Sequence, residues 1–201
     1  MEYLVTMTTQ VPDGTSEADV QEIRVREAAR SKVLATEGHL RRLWRPPLQP
    51  GDWRSLGLFD AADDALLEQV LASMPLHIWR TDQVERLSPH PNDPLLIGAK
   101  PENGSSEFLT TFKLSVPANA PGPAFDAATA QEAVSARALA DDGHLMRLWR
   151  LPTDGEALGL WRANDISEMQ RLLASLPLDR WLTEQITPLS PHPSDPGLTD
   201  R

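Results

Sequence analysis

Gly38-His39-Leu40-Arg41-Arg42-Leu43-Trp44-Arg45 returns as Gly143-His144-Leu145-Met146-Arg147-Leu148-Trp149-Arg150. The likeness runs outward in both directions. Glu2-Tyr3-Leu4 answers Glu107-Phe108-Leu109, and Leu71-Ala72-Ser73-Met74-Pro75-Leu76 answers Leu173-Ala174-Ser175-Leu176-Pro177-Leu178. Ser88-Pro89-His90-Pro91 answers Ser190-Pro191-His192-Pro193. The offset is 105 residues up to Trp44/Trp149 and 102 from Phe59/Trp161 onward, so a three-residue deletion separates the copies. A period this long is not a solenoid. It predicts a first repeat over 1–90, a linker over 91–106, a second repeat over 107–192 and a loosely held tail over 193–201.

Each repeat reads as strand, helix, strand, strand, helix, strand. In the first, Tyr3, Val5 and Met7 alternate with Thr6 and Thr8, the period of a half-buried strand. Ser16 suits a helix N-cap and Gly38 a C-cap, which predicts a helix from about Ser16 to Thr36. Strands follow over His39–Arg45 and Trp53–Phe59, a second helix ends near Ser73, and a last strand runs from about Ile78 to Leu87. The second repeat predicts strands at 108–115, 144–150, 157–162 and 180–189 and helices at 123–141 and 165–175. This order is the ferredoxin-like βαββαβ unit. Both helices on one face leave the other face of each sheet bare. The expected fold class is therefore α+β: two tandem ferredoxin-like repeats joined as an intramolecular pseudo-dimer of the dimeric α+β barrel type.

Composition narrows the function classes. A formal charge of −10 and a pI near 4.9 repel phosphate backbones and anionic bilayers, so neither nucleic acid nor a membrane is an expected partner. With no cysteine, disulfides, thiolate nucleophiles and thiolate metal sites are excluded. No signal-peptide pattern opens the chain, and a cytoplasmic location is compatible with the absence of cysteine.

The sharpest chemical feature is Glu27. Val20, Ile23, Glu27 and Leu34 share one helical face, as do Phe125, Ala128, Glu132 and Leu139, so each repeat sets a carboxylate on the stripe meant for burial. Burial raises a carboxyl pKa toward the range of a general base or acid. Arg30 and Ser31 interrupt the first stripe, so the alternative is a carboxylate at its edge bonded to a nearby Arg. Alternation over His39–Arg45 sets Leu40, Arg42 and Trp44 on one face and His39, Arg41, Leu43 and Arg45 on the other. Arg42/Arg147 and Arg45/Arg150 recur, and such arginines either hold a substrate carboxylate or form structural ion pairs. His39 and His144 are candidate second proton carriers or surface residues. His90 and His192 each precede an Asp by three residues, and their flanking prolines suggest a fixed strand exit more than a metal site.

The whole layout resembles the muconolactone delta-isomerase family. The carriers are Met7 on the first strand, Glu27 on the helix, Arg41-Arg42-Leu43-Trp44-Arg45, Phe59-Asp60, Pro75-Leu76 and His90-Pro91, and each repeat is covered almost end to end. The resemblance implies a 1,3-shift of a proton on a small unsaturated lactone in aromatic catabolism, with no metal or organic cofactor. Glu27 and Glu132 then match the family's carboxylate base. Arg45, Arg150, Trp53, Ser55, His39 and His144 are the expected substrate contacts. Family members are ordinarily single-domain subunits that oligomerise, so the fused pair is a candidate for further homo-oligomerisation. The family's Tyr and Asn on the third strand are replaced by Trp53 and Ser55, and by Gly155 and Ala157 in the second repeat, which leaves the substrate open. A non-catalytic ligand-binding protein of the same fold, or a cofactor-free oxygenase or cyclase, are the competing readings.

Overall fold

The structure is a computed structural model that describes residues 1–94, 106–116 and 122–198. The chain forms two compact units. Unit 1 comprises Met1–Leu87 with Ser190–Arg201, and unit 2 comprises Ser88–Leu189.

Unit 1 holds β1 (Glu2–Thr9), α1 (Glu17–Thr36), β2 (Leu40–Arg45), β3 (Arg54–Asp60), α2 (Asp64–Ala72) and most of β4 (Arg80–Pro89). Its strands run in the order β4-β1-β3-β2, all antiparallel. Unit 2 repeats the pattern with β5 (Ser106–Leu114), α3 (Gly122–Asp141), β6 (Leu145–Arg150), β7 (Glu156–Ala163), α4 (Ile166–Ala174) and most of β8 (Leu182–Pro191), in the order β8-β5-β7-β6. Both are ferredoxin-like βαββαβ folds. Of the expected linker, residues 95–105 lie outside the described residues.

Local chemistry accounts for the element ends. The Ser16 hydroxyl accepts the Asp19 N–H at the start of α1, satisfying one of the helix's orphan donors. Gly38 and Gly143 adopt φ of +81° and +80°, the left-handed conformation that lets the next N–H turn back onto the helix. His39 and His144 accordingly donate their N–H to the carbonyls of Leu34 and Leu139. The last strands begin later than expected. Pro75–Trp79 and Asp179–Trp181 form 3-10 turns, so Ile78, expected in a strand, is exposed in a turn instead.

The alternation expected along His39–Arg45 fails for a specific reason. Leu40 pairs with Phe59 but Arg42 with Leu58, so Arg41 is an extra residue, a β-bulge. One inserted residue reverses the facing of everything beyond it. Leu40 and Leu43 therefore share the core of unit 1 with Tyr3, Val5, Leu34 and Phe59. The same shift occurs between Leu145 and Arg147, and Leu145 and Leu148 share the core of unit 2.

Residues 193–198 of the expected tail are held in place; residues 199–201 lie outside the described residues. Within unit 1, Trp44 and Arg45 pair with Pro191 and Ser190, and the His192 N–H donates to the Leu43 carbonyl. Asp195 is buried; its Oδ1 accepts the Leu43 N–H at 2.9 Å and its carboxylate meets Arg42 Nε and Nη2, each at 3.1 Å at the nearest. Unit 2 contains the counterpart. Trp149 and Arg150 pair with Pro89 and Ser88, and Asp93 Oδ1 accepts the Leu148 N–H at 3.0 Å while Arg147 Nη2 donates to Oδ2 at 3.1 Å. A linker composition around Asp93 and a terminal position for Asp195 suggested slack, but a buried carboxylate with a paired guanidinium anchors each segment. Removing one partner of such a pair is costly because the other charge stays buried. Asp195→Ala should thus lower unfolding free energy by about 3 kcal/mol, measured by urea denaturation; a change within error would mean that Asp195 does not anchor the segment.

Candidate active site

Glu27 projects from α1 and lies mostly buried. Its Oε2 accepts the Leu76 N–H at 2.8 Å, and its Oε1 lies 3.4 Å from Arg80 Nη1. Arg80 is itself buried and shared with Asp82, whose Oδ1 is 2.6 Å from Nε. Loss of water raises the Glu27 pKa above the usual carboxylate range; the Leu76 N–H and Arg80 pull it back only partly, and Asp82 opposes them. The carboxylate is thus both on the buried stripe and bonded to an Arg. Ser31 does not break that stripe: it is buried on it.

A cavity of about 420 Å³ opens beside Glu27, within the range of small-molecule sites. Arg45, Trp53 and Ser55 line it with Glu27. So do Arg24 and Arg80, which the sequence reading did not single out. Arg24 stands three residues, just under one turn, before Glu27, and its guanidinium lies 4.4 Å over the Trp53 ring, a cation–π contact. Among the described residues, neither Arg24 nor Arg45 forms an ion pair with a carboxylate. The cavity therefore offers net positive charge around one carboxyl group.

The histidine at this cavity is His192, not His39. His39 and His144 line neither this cavity nor the corresponding one in unit 2. Each ring bonds through Nδ1 to a backbone carbonyl, that of Asp60 at 2.9 Å and of Arg162 at 3.0 Å, because the glycine-capped turn before β2 and β6 presses the ring against the end of the neighbouring strand. His192 instead lines the cavity. Burial lowers its pKa to about 4, helped by the Arg45 charge and opposed by Asp195. Its Nδ1 accepts the Ser194 N–H at 3.1 Å. A neutral ring whose Nδ1 is an acceptor carries its hydrogen on Nε2. His192 is therefore a neutral hydrogen-bond donor above about pH 4. The recurring Ser-Pro-His-Pro was the signal for it. The Asp three residues on is taken up by Arg42, which gives the His-x-x-Asp spacing a structural use; among the described residues no cluster of three metal-type side chains occurs.

Unit 2 has its own cavity, of about 250 Å³, and it is built differently. Glu132 lines it and accepts the Leu178 N–H at 2.9 Å; burial raises its pKa, the Leu178 N–H lowers it, and Asp179 raises it further. His90 lines it too. Its Nδ1 accepts the Asn92 N–H, and burial together with Arg150 lowers its pKa. Arg150 lies not on this cavity but on an adjoining cleft with Asp154, Gly155 and Glu156. The place of Arg80 is held by Leu182, of Ser55 by Ala157 and of Ser31 by Ala136.

A family model for muconolactone delta-isomerase matches residues 1–93 and again 106–195. The chain belongs to the muconolactone delta-isomerase family. Muconolactone Delta-isomerase 1 from Acinetobacter lwoffii is 29% identical over 92 residues, 46% of this chain and 93% of that protein. Muconolactone Delta-isomerase from Cupriavidus pinatubonensis is also 29% identical over 92 residues and is covered over 97% of its length. Each such relative thus matches a single repeat. Across both repeats the chain is similar to a chlorite dismutase variant from Candidatus Nitrospira defluvii, at 15% identity, 94% coverage of this chain, 91% of that one and a TM-score of 0.57. That likeness concerns the fold. In this muconolactone isomerase-like chain no helix among the described residues is long and apolar enough to cross a membrane.

The electrostatics of His192 are directly measurable. In an NMR pH titration its ring should stay neutral down to about pH 4 and show the Nε2–H tautomer. Its folded pKa lies below its unfolded value, so the unfolded chain binds more protons in that window and this residue's contribution to stability falls as pH drops from about 6.5 toward 4. A midpoint near 6.5 would remove the neutral donor.

Proposed function

We propose that unit 1 is a cofactor-independent isomerase that moves a proton along a small, anionic, unsaturated lactone or ketone. The observation that carries this reading is the confinement of one elevated-pKa carboxyl group, Glu27, in a cavity with a neutral histidine donor and arginines. In the forward step the Glu27 carboxylate takes the proton from the γ-carbon. The C–H electron pair passes into the conjugated system, and the carbonyl oxygen becomes a dienolate oxygen. The His192 Nε2–H is suited to hold that oxygen, as a donor aimed at developing negative charge stabilises it without itself losing a proton. Glu27 then returns the proton to the α-carbon, which restores the carboxylate and the carbonyl. Arg45 and Arg24 suit a substrate carboxylate, with Trp53 and Ser55 as further wall contacts. Glu132 and Arg150 are the equivalents in unit 2, whose cavity lacks the same cations; an anionic lactone is turned over there more weakly or not at all.

The base must be ionised, so the rate should fall as pH drops through a carboxyl pKa above the usual ~4.3. An unsaturated lactone carrying a carboxylate should exchange its γ-hydrogen with deuterated solvent. Glu27→Gln should slow that exchange about 10³-fold and His192→Ala about 10²-fold, whereas Arg45→Ala should chiefly raise KM. Exchange at the wild-type rate in Glu27→Gln would overturn the assignment of the base.

A further inference from the structure

The cavity of unit 2 has kept its carboxyl group and its histidine and lost nearly everything cationic. Repeat-equivalent positions show how far this goes. Arg80 becomes Leu182, Arg24 becomes Thr129, Thr9 becomes Leu114, and Ser31 and Ser55 become Ala136 and Ala157. The walls that remain are Phe112, Phe125, Leu145, Leu148, Trp161 and Leu176. Trp161 is set there by Gly159: a Cβ at that position would stand 2.3 Å from the indole nitrogen, so only glycine lets the ring lie over the strand. The indole N–H is spent on the Thr110 hydroxyl at 2.8 Å, which leaves Trp161 a largely apolar face. Around the cavity the charges are unfriendly to an anion. Glu132 lies in the wall, and the cleft that carries Arg150 also carries Asp154 and Glu156.

We propose that this cavity is a separate binding site for an uncharged, flat, largely apolar molecule of one or two rings with a single hydroxyl or carbonyl group. The volume of about 250 Å³ lies just below the usual range of drug-sized ligand sites, which limits the guest to a small molecule. The apolar walls supply the binding through burial of ring surface, and the Phe112 and Trp161 rings, edge to face at 6.3 Å between centroids, favour an aromatic guest. The polar group of the guest meets Glu132 or the Nε2–H of His90. An anion gains less there than in unit 1, because among the described residues no arginine lines the cavity, Arg150 standing on the adjoining cleft beside Asp154 and Glu156, and its carboxylate would face Glu132. The assignment uses only the residues of unit 2 and does not depend on catalysis in unit 1.

Two tryptophans make the test direct, since Trp161 lines the second cavity and Trp53 the first. β-Naphthol and β-naphthoate are titrated into isotope-labelled full-length protein at neutral pH, and the indole N–H resonances are followed. β-Naphthol should move the Trp161 resonance saturably and leave that of Trp53 in place, while β-naphthoate acts on Trp161 at least ~10-fold more weakly, a difference of about 1.4 kcal/mol. Leu182→Arg restores the cation of the first repeat and should narrow or reverse that preference, and Ala136→Leu should abolish the Trp161 response. Equal response of Trp161 to both compounds, no response to β-naphthol, or a response of Trp53 ahead of Trp161 would overturn the proposal. These comparisons stand on the wild-type protein even where a variant fails to fold. Hydrogen exchange of a carboxylated lactone at Glu27 is a different readout, so either idea can fail alone.

Discussion

The buried pair of Arg42 with Asp195, and its counterpart Arg147 with Asp93, is the contact on which the sites depend. The carboxylate of Asp195 does two things at once. It neutralises a guanidinium held beside the Trp44 ring and accepts the Leu43 N–H left open at the strand edge. Three residues earlier in the same segment, His192 is fixed by its own N–H on Leu43 and by Ser194 on its ring. The ion pair adds to the pairing of Ser190 and Pro191 with β2 and fixes the part of the segment that follows the histidine.

This explains why the two arginines of Arg-Leu-Trp-Arg are not interchangeable. Arg42 is spent on structure. Arg45, displaced to the other side by the bulge and pleat, is exposed at the cavity, where its charge helps hold His192 neutral. In unit 1 the motif couples a clamp to a cavity wall within four residues; unit 2 keeps the clamp of Arg147 on Asp93, but its Arg150 lies on the adjoining cleft.

Much of this could be read from the chain beforehand. The repeat and its hydrophobic period gave both βαββαβ units, and the position of Glu27 on an apolar stripe pointed to the carboxyl group that lines the cavity with Arg45, Trp53 and Ser55. What could not be read has identifiable causes. The bulge at Arg41 is a backbone insertion with no residue signature, and it defeats any argument from strict alternation. The choice of His39 over His192 followed from proximity in sequence to the arginines, whereas the relevant proximity is created by a segment from the far end of the chain. The stretch around Asp195 looked like slack because it lies near the end of the sequence, and position along the chain does not report the buried partner that holds it. Arg24 and Arg80 carry no motif; they matter only because α1 and β4 bring them to the same hollow.

The placement of Ser190–Arg201 in unit 1 has a consequence for biosynthesis. Glu27 and the helix that bears it leave the ribosome early, but the histidine that lines the same cavity is encoded at the very end of the second repeat. At ordinary elongation speeds of about 5–20 residues per second, the nascent first unit waits several seconds with an unsealed edge strand, and its Arg42 must bide that interval without the Asp195 carboxylate. Completion of the first cavity therefore waits on synthesis of the second repeat.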